Sequence, residues 1–211
     1  MSYGIKKYRK RRIFIIYMLV SVLCAGYIAY MPEAVREKIQ VRQHYEKVCG
    51  DYAGKLVTDM KRFPVRQDKA GQETLVFEDG YGDGRSYGGE RKHEGIDIMT
   101  SNNEPGYFQI QSVSDGVVEN IGWLELGGYR VGIRSKNGLY FYYAHLDSYV
   151  EGLRKGSRVK AGDILGYMGN TGYGREGTRG MFDVHLHFGI YISANGGEHS
   201  INPYEILCYI E

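Results

Sequence analysis

This 211-residue chain is poor in cysteine, proline and tryptophan, with three, four and one of each. Three cysteines, Cys24, Cys49 and Cys208, are too few for a disulfide framework and lack zinc-cluster spacing. A Cys49–Cys208 pair stays open, because it needs both thiols in an oxidising compartment. Acidic residues are missing from the first twelve positions, MSYGIKKYRKRR, which hold six basic ones (Lys6, Lys7, Arg9, Lys10, Arg11 and Arg12). Taking those six from the 27 Lys and Arg leaves 21 against 25 acidic residues, so the bulk of the chain is mildly acidic. That balance excludes nucleic acid as a partner recognised by bulk charge. Helical periodicity is lacking after about residue 75, apart from Tyr204 to Tyr209.

Long apolar runs are lacking too, with one exception: IFIIYMLVSVLCAGYIAYM, Ile13 to Met31, contains no charged residue. As a helix this run spans roughly 28 Å, about the hydrocarbon thickness of a bilayer. Tyr17, Tyr27 and Tyr30 can serve as interfacial anchors. The basic flank predicts a cytoplasmic N-terminus, with everything after Pro32 outside. A cleaved signal peptide fits less well, since the run is long for an h-region and lacks an A-x-A site. A lipoprotein reading at Cys24 fits worse, because Leu23 stands where a small residue is usual. The expected organisation is a cytoplasmic tail (1–12), a single-pass helix in the cytoplasmic membrane (13–31), a helical stalk and linker (32–72), and an extracytoplasmic domain (73–211).

From Glu33 to about Met60 the chain is charged, with Val35, Ile39, Val48, Leu56 and Val57 at helical spacing. No strict heptad survives beyond two repeats. His44 in this stretch reads as a solvated surface residue. Lys61 to Gln72, broken by Pro64, reads as a linker. After Leu75, short apolar stretches alternate with glycine. VSDGVVENIGWLELGG, YRVGIRSKNG, LYFYYAHL, SRVKAGDILGYMGNTGYG and VHLHFGIYI each predict a strand plus turn, and Asn137-Gly138 predicts a hairpin. With 30 Gly and 20 Tyr the fold class is mainly β, an antiparallel sheet or sandwich large enough to enclose a core.

Four histidines fall in or beside these strands: His93, His145, His185 and His187. Side chains alternate along a strand, so His93 and Asp97 in HEGID share a face while Ile96 and Ile98 take the other. In VHLHFGIYI, His185 and His187 share a face, opposite Val184, Leu186, Phe188 and Ile190. Two imidazoles and a carboxylate with one open position form a ligand set for catalytic zinc, whereas an all-oxygen set would suit magnesium or calcium. Bound zinc acidifies water and polarises a carbonyl, and additional histidines can move protons or hold an oxyanion.

His93-x-x-x-Asp97, Tyr143-Ala144-His145-Leu146 and His185-Leu186-His187-Phe188, in that order, closely resemble the motifs of lysostaphin-like zinc endopeptidases of bacterial cell walls. The resemblance extends over roughly residues 75 to 207, including SDGVV, GGYRVGIRSKNGLYFYYAHL and VKAGDILGYMGNTGYG, and leaves out the anchor and stalk. It implies zinc as cofactor, metal ligands at His93, Asp97 and His187, and proton transfer by His185. It also implies that His145 orients water or stabilises the tetrahedral intermediate; which of His145 and His185 is the general base stays open. The implied reaction is hydrolysis of a peptide bond in peptidoglycan, in the stem or the cross-bridge.

Some members carry an upstream asparagine that fills the fourth zinc position, and no counterpart exists here, since Asn102 and Asn103 follow the first motif. Relatives that lost the metal site act as scaffolds or as activators of other wall hydrolases, in sporulation or division complexes, which sets the alternative role. Such members typically lack ligands, whereas all five positions are intact in this chain. A metal-free module binding glycan or peptide is a third reading, separable by metal content. Arg85 and Arg91, in the glycine-rich approach GYGDGRSYGGERKHEG, are candidates to meet a substrate carboxylate. Tyr81, Tyr87, Tyr129, Tyr173 and Tyr191 are candidates to line a groove, and His199 reads as a loop residue.

Overall fold

The computed structural model describes residues 30–67 and 74–211, together with Met18, Val20, Ser21 and Gly26. Two compact units divide it, Met1–Gln40 and Val41–Glu211. In the first, the described residues from Glu33 to Gln40 are helical and exposed. The expected basic tail, residues 1–12, lies outside the described residues, as does most of the expected membrane span, 13–31. Among the described residues no helix is long and apolar enough to cross a membrane.

The second unit is built on strands. The alternating stretches after residue 74 form β1 (Leu75–Val76), β2 (Gly84–Arg85), β3 (Arg91–Lys92), β4 (Ile96–Thr100), β5 (Gln109–Gln111) and β6 (Gly116–Leu124). They continue as β7 (Gly128–Ser135), β8 (Tyr140–Tyr149), β9 (Arg158–Val159), β10 (Ile164–Met168), β11 (His185–Ala194) and β12 (Gly197–Ile201). One hydrogen-bonded ten-stranded sheet runs in the order β1-β4-β11-β8-β7-β6-β9, with β12 on β11 and β10 joining β8 to β5. β2 and β3 form a separate two-stranded hairpin. Every pairing is antiparallel, as alternation predicted. The predicted Asn137-Gly138 hairpin joins β7 to β8, with Gly138 at φ 90°.

One face of this sheet is the core. Ile96 and Ile98 of β4, Ile133 of β7, Phe141 and Tyr143 of β8, and Leu186, Phe188 and Ile190 of β11 are fully buried. Each such side chain contributes about 1.5–3 kcal/mol through removal from water. Tyr143 escapes an unsatisfied hydroxyl by accepting the Val113 amide at 2.9 Å.

Residues 41–67 correct the expectation of a stalk and linker and of a domain that starts at residue 73. The helical reading holds, as α1 (Glu33–Cys49) and α2 (Tyr52–Asp59), joined through Gly50 at φ 53°. From Val41 onward, however, these helices pack onto the strands. Val41, Tyr45 and Cys49 recur every four residues and lie on one buried stripe, continued by Ala53, Leu56 and Val57. Three residues, Val41, Tyr45 and Cys49, in an otherwise charged helix gave too narrow a stripe to read as core. The Tyr45 hydroxyl donates to the Asn202 carbonyl at 2.8 Å and accepts the Ile206 amide at 3.2 Å, tying α1 to the start of α3 (Tyr204–Ile210). The supposed linker runs along β5, where Arg66 donates to the Gln109 carbonyl (2.9 Å) and Gln111 to the Pro64 carbonyl (2.9 Å). Cys49 is buried, Cys208 is exposed, and both thiols are free.

Candidate active site

The polar face of the sheet floors a cleft of about 940 Å³. β11 and β4 supply its first two groups by simple register. His187 and Asp97 are direct cross-strand partners, and both point away from the buried Leu186–Ile98 and Phe188–Ile96 pairs. His93 arrives differently from the way alternation suggested. It precedes β4, separated from it by Glu94 and Gly95, and is held by backbone bonds to β2's approach: its amide donates to Asp83 at 2.8 Å and its carbonyl accepts from Gly82 at 2.8 Å. Gly95 makes the approach possible, since a Cβ there would lie 2.5 Å from the Phe188 carbonyl and 2.7 Å from Cε1 of His187.

Three donor atoms converge. His93 Nε2, Asp97 Oδ1 and His187 Nδ1 lie 2.9–3.0 Å from one another. The His93 Nδ1–H donates to the Gly80 carbonyl at 2.9 Å, which leaves the Nε2 lone pair turned inward. Two imidazole lone pairs and a carboxylate oxygen repel one another unless a proton or cation sits between them. Their separations approach the ~3.3 Å edge of a tetrahedron built on zinc bonds of roughly 2.0–2.1 Å. The donor set therefore fits zinc.

Arg85 donates from Nη2 to Asp97 Oδ2 at 2.7 Å, on the oxygen turned away from the histidines. Burial alone would raise the Asp97 carboxyl; its close contacts with the His187 and His93 nitrogens outweigh it and hold the group far below the usual carboxylate range. Burial lowers His187, only partly offset by Asp97, so its lone pair is available at neutral pH.

His145 and His185 face each other across 4.8 Å between ring centroids, and both touch the ring of Phe182, at 4.6 and 5.0 Å. Each is oriented in the same way. His145 Nδ1–H donates to the Thr171 carbonyl (2.8 Å) and His185 Nδ1–H to the Asp183 carbonyl (2.7 Å). A carbonyl can only accept, so in both rings Nε2 is the basic nitrogen. His185 Nε2 lies 3.8 Å from Asp97 Oδ1. Burial lowers both imidazoles, His145 well below its ordinary value, which keeps them neutral and ready to take a proton.

A backbone irregularity delivers His145. Strict alternation along β8 would put it with Phe141 and Tyr143 in the core. Instead the register with β7 slips between Val131↔Tyr143 and Tyr129↔Leu146, and His145 adopts φ 62°. This bulge turns His145 into the cleft and returns Leu146 to the core.

The sequence profile of peptidase family M23 matches residues 91–203, more than half of the chain and all five of these groups. The chain belongs to peptidase family M23. It is 40% identical over 141 residues to an L-Ala–D-Glu endopeptidase of Bacillus subtilis, an alignment covering 67% of this chain and 40% of that protein. The chain thus spans well under half the length of this relative. A Ruminococcus gnavus crystal structure named for a glycyl-glycine endopeptidase is 46% identical, with a TM-score of 0.68 over 80% of this chain and 69% of that one. The antimicrobial peptidase lysostaphin of Staphylococcus simulans is 27% identical, with a TM-score of 0.50 over 64% of this chain and 50% of that one. The lysostaphin-like fold follows from this membership.

Within this M23 domain the other expected residues divide. Arg85, Arg91, Tyr173 and Tyr191 line the cleft. Arg85, however, is committed to Asp97, and Tyr87 stacks on Tyr173 at 4.2 Å from the rim. Tyr81 bonds Ser200 away from the cleft, and Tyr129 packs edge-on to Trp123. His44 is exposed and outside the site, as expected; His199 is also exposed and outside the site but lies in β12, paired with Ile192 of β11, and not in the expected loop. Sequence reasoning missed Thr171 and Phe182, which orient and shield His145, and Tyr142 and Arg130 on the cleft floor. Alternation on β7 and β8 marks the last two; Thr171 and Phe182 lie in loops, where no period exists to reveal them.

Proposed function

We propose that this M23 peptidase is a zinc-dependent, membrane-anchored endopeptidase that cuts the L-Ala–D-Glu bond of peptidoglycan stem peptides. The observation that carries the reading is the convergence of His93 Nε2, Asp97 Oδ1 and His187 Nδ1 beside two neutral imidazoles with free Nε2 atoms. His93, Asp97 and His187 would hold the zinc, which when bound would supply Lewis acidity toward the scissile carbonyl and toward water. His185, whose Nε2 is nearest the ligand carboxylate, takes the proton of the attacking water and passes it to the leaving amine. His145, neutral and with its Nε2 lone pair free, accepts a hydrogen bond from the attacking water and orients it toward the carbonyl. Phe182 excludes bulk water from both rings.

The bond chosen follows the 40% identity to the Bacillus subtilis enzyme. The location follows the uncharged run 13–31 and the basic residues before it, which put the catalytic domain outside the cytoplasmic membrane. A non-catalytic scaffold has no observation in its favour, because all five site residues are present and converge. Mass spectrometry of fragments released from purified peptidoglycans with different cross-bridges tests the assignment. New N-terminal D-Glu ends are expected whatever the bridge; release confined to glycine-bridged walls would replace the stem with the bridge as substrate.

A further inference from the structure

Five cations reach the cleft: Arg85, Arg91, Lys92, Arg130 and Arg134. Four have an evident situation. Arg85 is paired with Asp97, Arg134 grips Glu119 through bonds of 2.7 and 2.9 Å, Arg91 gives Nη2 to the Tyr173 hydroxyl at 3.1 Å, and Lys92 is exposed to water. Arg130 differs. It is half-buried, its Nη1, like Nε of Arg91, is shut off from solvent without an acceptor, and, unlike Arg91, its guanidinium has no hydrogen-bond or ion-pair partner among the described residues. A buried guanidinium nitrogen without an acceptor is costly, and polypeptides do not ordinarily leave one so on a cleft floor.

Its position is set by the same backbone features that build the site. Alternation buries Val131 and Ile133 and turns Arg130 toward the cleft. The slipped register sets Arg130 opposite the Ala144–His145 bulge, on the strand next to that of His145. Tyr142, edge-on to His187 at 5.9 Å, lines the same cleft.

The geometry points to Arg130 as the specificity residue of this peptidase, binding a substrate carboxylate that flanks the scissile bond. The inference rests on the endopeptidase reading above and deepens it. A planar guanidinium presents paired donors that match a carboxylate, and an acidic residue next to the cut bond would bring that group to the bulge. A run of neutral glycines offers no such anion and would leave Arg130 unpaired. Arg85, a carboxylate candidate by sequence, is already occupied by Asp97.

The test uses the full-length zinc-loaded protein and two synthetic stem peptides, identical except that the carboxylate flanking the scissile bond is free in one and a carboxamide in the other. The ratio of kcat/KM between the peptides is compared in the parent protein, Arg130→Gln and Arg130→Lys; a ratio is independent of how much of each preparation is folded. The parent is expected to favour the acid by roughly tenfold to a hundredfold, the range of a charged hydrogen bond. Arg130→Gln should reduce the ratio to within about twofold of unity, through KM more than kcat, and Arg130→Lys should restore part of it. An unchanged ratio in Arg130→Gln overturns the assignment, as does a parent enzyme that cleaves both peptides equally. If the parent cleaves neither these peptides nor peptidoglycan, the endopeptidase reading itself fails, and this one with it.

Discussion

β11 and β8 lie side by side, and each contributes histidine to the cleft, yet they do so by opposite means. β11 is regular: His185 and His187 alternate with Leu186, Phe188 and Ile190, all fully buried, and β4 and β8 hold it on either side. His187 is aimed by the ladder alone, at no cost to the backbone. β8 is broken where it matters. His145 reaches the cleft through a bulge and a left-handed backbone, a conformation that costs a non-glycine residue about 1–2 kcal/mol. Surrounding loops hold it there. Thr171 accepts from His145 Nδ1, donates its own hydroxyl to Leu146 at 2.7 Å, and accepts the Tyr129 amide at 3.1 Å. Asp97 and His187 are thus set by strand register, and His145 by bulge and loop geometry. Two sides built so differently should fail separately.

The largest separation comes from the histidines themselves. His187→Ala should abolish both bound zinc and wall-lytic activity, measured by elemental analysis and turbidity loss of cell walls; full activity in this variant would sink the mechanism. His145→Ala and His185→Ala should keep the metal and lose turnover by roughly 10²–10⁴, the range for a general acid–base group. Loss of zinc in either one would merge the two sides. A subtler probe of the ladder side is Gly95→Ala. Its Cβ would press on the Phe188 carbonyl and His187 Cε1, so zinc affinity should fall about 10–100-fold in a chelator competition. The loop side has its own glycine. At Gly128, φ 62°, a Cβ would collide with the Thr171 carbonyl that orients His145. Gly128→Ala should lower stability by about 1–3 kcal/mol in denaturant melts and reduce kcat while zinc affinity holds.

The smallest effect expected is on pH dependence. Burial, and next the charges of His185 and His187, lower the His145 imidazole in the folded protein, whereas the unfolded chain binds that proton near pH 6.5. The unfolded state therefore carries more protons below about pH 6.5, and stability falls as pH drops through that range. In the zinc-free protein, His145→Gln should show a shallower acid slope than the parent; equal slopes would mean that His145 is not held neutral.

How far the sequence was legible follows the same division. Period-two alternation was enough to put His185 with His187, to put Asp97 opposite Ile96 and Ile98, and to find the Asn137-Gly138 hairpin, because these depend only on near neighbours along the chain. His93 entered the right group for an incomplete reason, since it lies before β4 and not within it. Alternation on its own would have buried His145. The role of Val41, Tyr45 and Cys49 as core was hidden by the charged residues around them, and the Lys61–Gln72 stretch looked like a linker because an extended segment beside β5 has no signature of its own.

What the amino-acid order determined by itself is the mainly β domain, the shared faces of its regular strands and the set of five chemical groups, all consequences of local geometry repeated along the chain. Tertiary structure decided what depends on the partner chosen by each strand. The β7–β8 slip turned His145 outward, the loop at Thr171 and Phe182 oriented and dried it, and the partners found by Arg85 and Arg134 left Arg130 without one. Such contacts join residues far apart in sequence, and only the closed sheet brings them within reach.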